Sequence, residues 1–407
     1  MLSVSKGNAK MWKNANMLRS SFLAAALCVL GAGSALAQTF ETSATAAYVY
    51  DQTTGTVLLA KNEDEPLPPA SMSKLMTIYM AFEAIADGRL VIDEVLPVSS
   101  HAASYGGSSM FLDTTDRVKV EDLLRGVIVL SGNDASAVLA EALSPDGTEA
   151  GFARMMTQRA QQMGMHNSTF ANSNGWPAAG HRMSMEDLGI LADHLIRDYP
   201  TFYPLFSETE FAFDNRVPSN IHNRNPLLSL GIGADGLKTG HTEAAGYGLV
   251  GSAKQGDRRI VFVITGLASQ AARAEESERL VNWAFRQFAQ KDVARAGTQI
   301  AEADVWMGNA PTVGLTVAED LSLLVPILNQ GTVDAQVVYD GPIEAPITAG
   351  QQLGELVINL DGLPEKRVPL LAETDVGTGG FSTRLRTAAL VLWNKFGPQD
   401  APAPEGA

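Results

Sequence analysis

Apolar and polar positions alternate in short runs near the start of the main body of this chain. Ala46 to Asp51 and Thr56 to Lys61 read as two strands joined by a turn at Thr54-Gly55, a β-hairpin. Longer helical stretches follow: Ser71 to Ala86, Val120 to Leu130, Ala135 to Leu143, Ala150 to Met163 and Met185 to Ile196. Strands return at Ala234 to Thr239, Tyr247 to Ala253 and Arg259 to Gly266, and a helix over Arg273 to Phe288 closes the region. Strands at both ends with helices between them predict an α/β (α+β) domain. Its one sheet is assembled from the two ends, with a helical lobe on one side.

From about Asp292 the pattern changes to short β-like runs broken by Gly and Pro: Leu321 to Val325, Ala335 to Tyr339 and Leu356 to Asn359. The segmentation that follows is a leader at 1–37, a first domain at 38–291, a small β-rich domain at 292–376, an amphipathic helix at 380–396 and a disordered tail at 397–407.

The first 37 residues carry Lys6, Lys10, Lys13 and Arg19 and no acid, then the apolar run Phe22 to Leu30, then Ala35-Leu36-Ala37 before Gln38. That is the pattern of a cleavable export signal, and its apolar core is shorter than the roughly 20 residues that cross a bilayer. Met17 offers an alternative start that leaves a more ordinary leader. The single cysteine, Cys28, lies inside it, so the exported body has no thiol and no disulfide. Leu27 stands where a lipid-acceptor site would carry a small residue, which argues against a lipoprotein.

Without the leader, 26 basic side chains face 45 acidic ones, a balance of −19. So acidic a body excludes nucleic acid as a partner and needs a local basic element to approach an anionic surface. Phe381 to Phe396 is such an element. Phe381, Leu385, Ala388, Ala389, Leu392 and Phe396 fall on one helical face, flanked by Arg384 and Lys395 with no acid between. Following the break Gly377-Thr378-Gly379-Gly380, this segment reads as an anchor lying on a membrane surface. Docking on its own domain is the alternative.

Three short motifs carry the candidate chemistry. Ser71-Met72-Ser73-Lys74 sets a hydroxyl and an amine three residues apart on one helical face. A serine is a poor nucleophile until a base takes its proton, and a lysine serves only when neutral; partial burial and a second cation, for which Lys238 is the candidate, would lower its pKa. Ser71 at a helix start also offers its backbone N–H to an oxyanion. Ser131-Gly132-Asn133 precedes a helix. There Ser131 can relay a proton to a leaving amine, while Asn133 either binds a substrate amide or orients Lys74. Lys238-Thr239-Gly240 ends a strand: Lys238 with Thr239 can take a carboxylate, and Gly240 lets a substrate backbone lie against the strand edge. Each motif alone also fits a helix cap, a turn or a basic strand end.

Taken together and in this order, the three resemble the signature of the penicillin-binding serine acyl-transferases and the serine β-lactamases. Pro69 to Thr77, Ser108 to Leu112, Ser131 to Ala135, Asn172 to Gly175 and Lys238 to Thr242 look like the low-molecular-mass D-alanyl-D-alanine carboxypeptidases of the S11 peptidase type. The likeness covers about Thr42 to Ala289 and extends more weakly over the β-rich module and terminal helix. It implies a transpeptidase-like domain with a central antiparallel sheet, and a periplasmic enzyme held peripherally on the cytoplasmic membrane. Ser71 would be the acylated nucleophile, Lys74 its base, and Ser131 and Asn133 the second active-site element. Lys238, Thr239, Gly240 and Arg273 would bind substrate, with the backbones of Ser71 and His241 as oxyanion donors. The substrate would be a peptidoglycan stem pentapeptide and β-lactams covalent inhibitors. The resemblance implies no metal or organic cofactor, and the six histidines show no ligand spacing. A D,D-endopeptidase or β-lactamase using the same nucleophile, and a catalytically silent wall-binding protein, are the rival readings.

Overall fold

The computed structural model describes residues 2–6, 40–327, 333–360, 363 and 365–380. Nearly all of the expected leader, and all of the terminal helix and tail beyond Gly380, lie outside the described residues. The chain divides into one unit at 38–289 and a second made of 1–37 with 290–407.

In the first unit, β1 (Ala46–Asp51) and β2 (Thr56–Lys61) form the expected hairpin. Asp51 Oδ1 accepts from the backbone and hydroxyl of Thr54, and Gly55 takes a positive φ of 68°. The later strands β3 (Ala234–Thr242), β4 (Gly246–Gln255) and β5 (Arg258–Leu267) join them in one antiparallel sheet of order β2-β1-β5-β4-β3. Sheet contacts thus connect residues about 200 positions apart, such as Val49 with Phe262. This is the sheet built from the two ends of the domain that the sequence pattern predicted. In β5, Val261 and Val263 enter the large core beside the helical lobe, while Ile260, Phe262 and Ile264 are buried on the opposite face.

The longer helices are α1 (Lys74–Ala86), α2 (Val120–Ile128), α3 (Asn133–Leu143), α4 (Glu149–Gln162), α5 (Met185–Asp198) and α6 (Gln270–Gln287). Leu75, Met76, Ile78, Phe82 and Ala84 of α1 are fully buried, the pattern of a helix surrounded by others rather than lying on a surface. Capping sets several starts: the side chains of Thr148, Ser184 and Ser269 accept from the backbone N–H three residues on. One predicted helix differs at its start. Ala70–Ser73 is a 3-10 turn and α1 begins only at Lys74, with Ala70 held at φ 49°. Ser71 is therefore presented by a tight turn ahead of the helix and caps nothing.

In the second unit, seven strands pair in the order Leu2–Lys6, Val333–Tyr339, Gln352–Asn359, Lys366–Ala372, Thr312–Val317, Gln299–Trp306 and Ile343–Glu344, and Leu321–Pro326 pairs with Phe288–Ala294. A separate core of Val313, Leu315, Leu323, Leu356, Ile358 and Leu370 supports it. The sequence reading found three of these strands. It missed others that carry Glu, Asp, Lys or Gly inside them, whose burial is sparse or irregular along the strand. Leu2–Lys6, read as the head of a leader, pairs in parallel with Val333–Tyr339; its alternation Leu-Ser-Val-Ser-Lys suits an edge strand.

Candidate active site

Lys74 is wholly buried at the first turn of α1, and its amine makes three contacts. It lies 2.8 Å from Ser71 Oγ, 2.8 Å from Asn133 Oδ1 and 2.7 Å from the backbone oxygen of Asn174. Asn133 is fixed in turn, its Nδ2 donating to Gly106 O and its backbone N–H to Ser108 O. Asn133 Oδ1 thus accepts from the Lys74 amine, the contact that the orienting role requires. Burial, then the Arg224 guanidinium, lowers the Lys74 pKa to about 7, against an opposing pull from Asp134 and Glu149.

Two buried carboxylates shape the surroundings. Asp134, beside Asn133 on α3, accepts from Ser109 Oγ and from the N–H groups of Met110, Leu112 and Ala135, which fixes the loop carrying Ser108. Glu149 at the start of α4 accepts from Ser173 N and Oγ and from Tyr105, holding the turn whose Asn174 carbonyl reaches Lys74. Burial pushes the Glu149 pKa up, and these bonds, with one to His101, outweigh it and keep it below the usual glutamate value.

Ser131 is buried between α2 and α3 at φ 61°, and with Ser71, Arg224, Thr239, Gly240, His241 and Arg273 it lines a cavity of 470 Å³. Residues remote along the chain thus meet in one cleft beside the edge strand β3. Lys238 is buried there, its amine 3.2 Å from Thr239 O. His241 is exposed at the cleft, and its ring stacks on Tyr247 at 3.8 Å. Arg273, at the start of α6, is only 4% exposed; it lies over the Tyr247 ring, donates to Arg224 O, and leaves its Nε without a partner among the described residues.

One expectation changes, and one residue gains a second reason for its identity. Lys238 was the candidate second cation acting on Lys74, but after burial it is Arg224 that acts on that amine. Lys238 is itself pushed well below the usual lysine value by burial, then by Lys74, Arg224 and Arg273. Gly240, read as letting a substrate backbone lie against the strand edge, also answers to packing. A Cβ there would stand 2.9 Å from Met72 Cγ and 3.0 Å from Pro69 O, so its smallness lets β3 approach the turn that bears Ser71.

The sequence reading missed Arg224. It sits in a loop, donates to Ser108 Oγ and belongs to no motif. No local signal announces it; only its arrival over the cleft does. Asn174 entered only as part of a family-like stretch, since a backbone carbonyl leaves no mark in residue type.

The antiparallel sheet with its helical lobe, and at its edge a half-buried serine bonded to a buried lysine, define a serine-type peptidase. Residues 33–269 match the family described as D-alanyl-D-alanine carboxypeptidase, and residues 288–378 match the C-terminal domain of penicillin-binding protein 5. D-alanyl-D-alanine carboxypeptidase DacC of Escherichia coli (strain K12) is 34% identical over 400 residues, covering 95% of this chain and 98% of that protein. The structure of penicillin-binding protein 5 from Haemophilus influenzae superposes with a TM-score of 0.73 at 35% identity, covering 83% of this chain and 98% of that one. Penicillin-binding protein D2 from Listeria monocytogenes, in its ampicillin-bound form, superposes with a TM-score of 0.54 at 31% identity, over 60% of this chain and 97% of that one. The chain belongs to the D-alanyl-D-alanine carboxypeptidase family and is a serine-type hydrolase.

Proposed function

We propose that this enzyme removes the terminal D-alanine from peptidoglycan stem pentapeptides through an acyl-enzyme on Ser71. The observation that carries the reading is the Lys74 amine, buried, lowered to a pKa of about 7 and 2.8 Å from Ser71 Oγ. A neutral amine has two N–H bonds and one lone pair. Asn133 Oδ1 and Asn174 O accept the two N–H bonds, which leaves the lone pair for the Ser71 hydroxyl proton.

Lys74 takes that proton as Ser71 Oγ attacks the carbonyl carbon of the penultimate D-alanine. The resulting oxyanion is received by the backbone N–H groups of Ser71 and His241. Ser131 relays the proton to the departing nitrogen, the C–N bond breaks, and free D-alanine leaves. Water then hydrolyses the ester and restores Ser71. The leaving residue carries a carboxylate, and Arg224, Arg273, Lys238 and Thr239 are the groups that receive it. Among the described residues no carboxylate pairs with Lys238, and one arriving beside it would favour the charged amine. A β-lactam would acylate Ser71 by the same attack, as supported by the ampicillin-bound likeness.

The decisive assay offers a soluble pentapeptide and a cross-linked dimer. Free D-alanine from the pentapeptide is the expected product. Monomers released only from the dimer would replace the reading with an endopeptidase, and failure of a fluorescent penicillin to label Ser71, with Ser71→Ala as control, would replace it with a silent binding protein.

The leader and terminal-helix patterns support export to the periplasm and peripheral attachment to the cytoplasmic membrane. Deleting 380–407 is expected to free the protein from membranes while soluble substrate is still cleaved. Unchanged membrane partition would reject the anchor. Cleavage of the leader would also remove the edge strand Leu2–Lys6.

A further inference from the structure

Tyr247 belongs to none of the sequence motifs, yet its ring meets two residues that the reaction above uses. On β4 it pairs directly with His241 of β3, and the two rings stack with centroids 3.8 Å apart and planes 26° from parallel. The Arg273 guanidinium, from the first turn of α6, stands 5.9 Å from the centroid of the same Tyr247 ring. All three residues line the cavity that Ser71 and Ser131 share.

Backbone geometry aims this side chain. Glycines flank it, and neither position has room for more. A Cβ on Gly246, whose φ is 66°, would stand 2.9 Å from Gly266 Cα, and one on Gly248 would stand 2.9 Å from both Ile264 O and Met72 Cε. Tyr247 is thus the single side chain of a Gly-Tyr-Gly run pressed against β5 and the turn that bears Ser71. Pairing with β5 also slips by one residue there: Tyr247 faces Leu267 while Leu249 faces Ile264, and Gly266 in the gap has φ 80°. Such bulges concentrate beside active sites, where they re-aim a side chain.

Arg273 depends on that ring. It is 4% exposed, its Nε has no partner, and among the described residues its guanidinium makes one hydrogen bond, 3.3 Å to Arg224 O. The Arg224 guanidinium opposes its charge, whereas Tyr247 favours it. The ring face is then the main attraction that keeps a buried cation in place. His241 is exposed, and the stack on Tyr247 is what seats its ring at the end of β3.

We propose that Tyr247 is a positioning residue for this enzyme. Its ring holds Arg273 where the carboxylate of the leaving residue arrives and, through His241, holds the end of β3 that supplies an oxyanion donor. Its effect on the reaction passes through those two groups, one acting in binding and one in the chemical step. The assignment rests on the carboxypeptidase reading above.

The test measures free D-alanine release from a soluble pentapeptide by the whole protein and by Tyr247→Phe, Tyr247→Leu, Arg273→Gln and the double variant Tyr247→Leu with Arg273→Gln. Tyr247→Leu removes the ring and should both raise KM and lower kcat, with kcat/KM down about tenfold or more. Tyr247→Phe keeps the ring and should retain most of the wild-type value. In the Arg273→Gln background, loss of the ring should leave KM nearly unmoved and still lower kcat, because nothing remains for it to position in the carboxylate site. A role confined to packing would lower the melting temperature without that dependence on Arg273. If Tyr247→Leu does not melt cooperatively, Tyr247→Met carries the same comparison. Wild-type kinetics in the ringless variant, a loss as large in Tyr247→Phe, or KM increases that multiply in full in the double variant would overturn the assignment. Release of no D-alanine by the wild-type enzyme would instead overturn the carboxypeptidase reading, and this one with it.

Discussion

Lys74 Nζ stands 2.8 Å from Ser71 Oγ, and the acceptors Asn133 Oδ1 and Asn174 O fix which way its lone pair faces. Chemistry at this pair depends on Lys74 being neutral, and its pKa is lowered to about 7, chiefly by burial. Acylation by a soluble β-lactam should therefore rise with pH through about 7 and level off above it, because below that pH the ammonium has no lone pair to offer. Stopped-flow acylation rates against pH check this; a rate independent of pH between 5 and 9 would rule out Lys74 as the titrating base.

Arg224→Gln should move that rising limb to higher pH, since removing the neighbouring cation makes the charged amine easier to form. It should also raise KM for peptide substrates more than it slows β-lactam acylation at high pH. The same pH series with the variant measures both.

Asn133→Asp places a carboxylate where Lys74 finds an amide oxygen, which holds the amine in its charged form. Acylation at neutral pH should fall by about 10²-fold or more, the scale of a lost general base. Labelling should recover partly as pH is raised. No recovery would mean that geometry rather than charge was lost.

Gly175 has φ +80°, and a Cβ added there would lie 1.9 Å from Ala70 O. Gly175→Ala should therefore displace the turn that presents Ser71, at a cost of about 1–3 kcal/mol. Thermal melting and penicillin labelling should both decline. A variant with unchanged melting and labelling would show that the two loops do not meet as described.

Asp134→Ala removes the acceptor for Ser109 Oγ and for the N–H groups of Met110, Leu112 and Ala135. Each buried donor left unsatisfied costs about 1–3 kcal/mol. The melting temperature should fall by several degrees, and peptide turnover should suffer because Ser108, which receives Arg224, moves with the loop.

The elements were legible because their signals are local. The hairpin at Thr54-Gly55, the apolar helix beginning near Lys74 and the strand ending at Lys238-Thr239-Gly240 each announce themselves through residues that are neighbours in sequence. Helix ends shifted by a few residues, and the acidic or Gly-bearing strands of the second unit were missed, since their burial comes from partners that local alternation does not reveal.

By itself the sequence determined the order of elements, the division into two units and the presence of a serine, a lysine three residues on, and two further polar motifs. Tertiary structure decided what those groups can do. A pKa depends on distance and burial, so only the fold could choose Arg224 over Lys238 as the cation acting on Lys74. Packing works the same way: only contact across the chain brought Gly240 against the Pro69–Met72 turn, where a Cβ would crowd Met72 and Pro69.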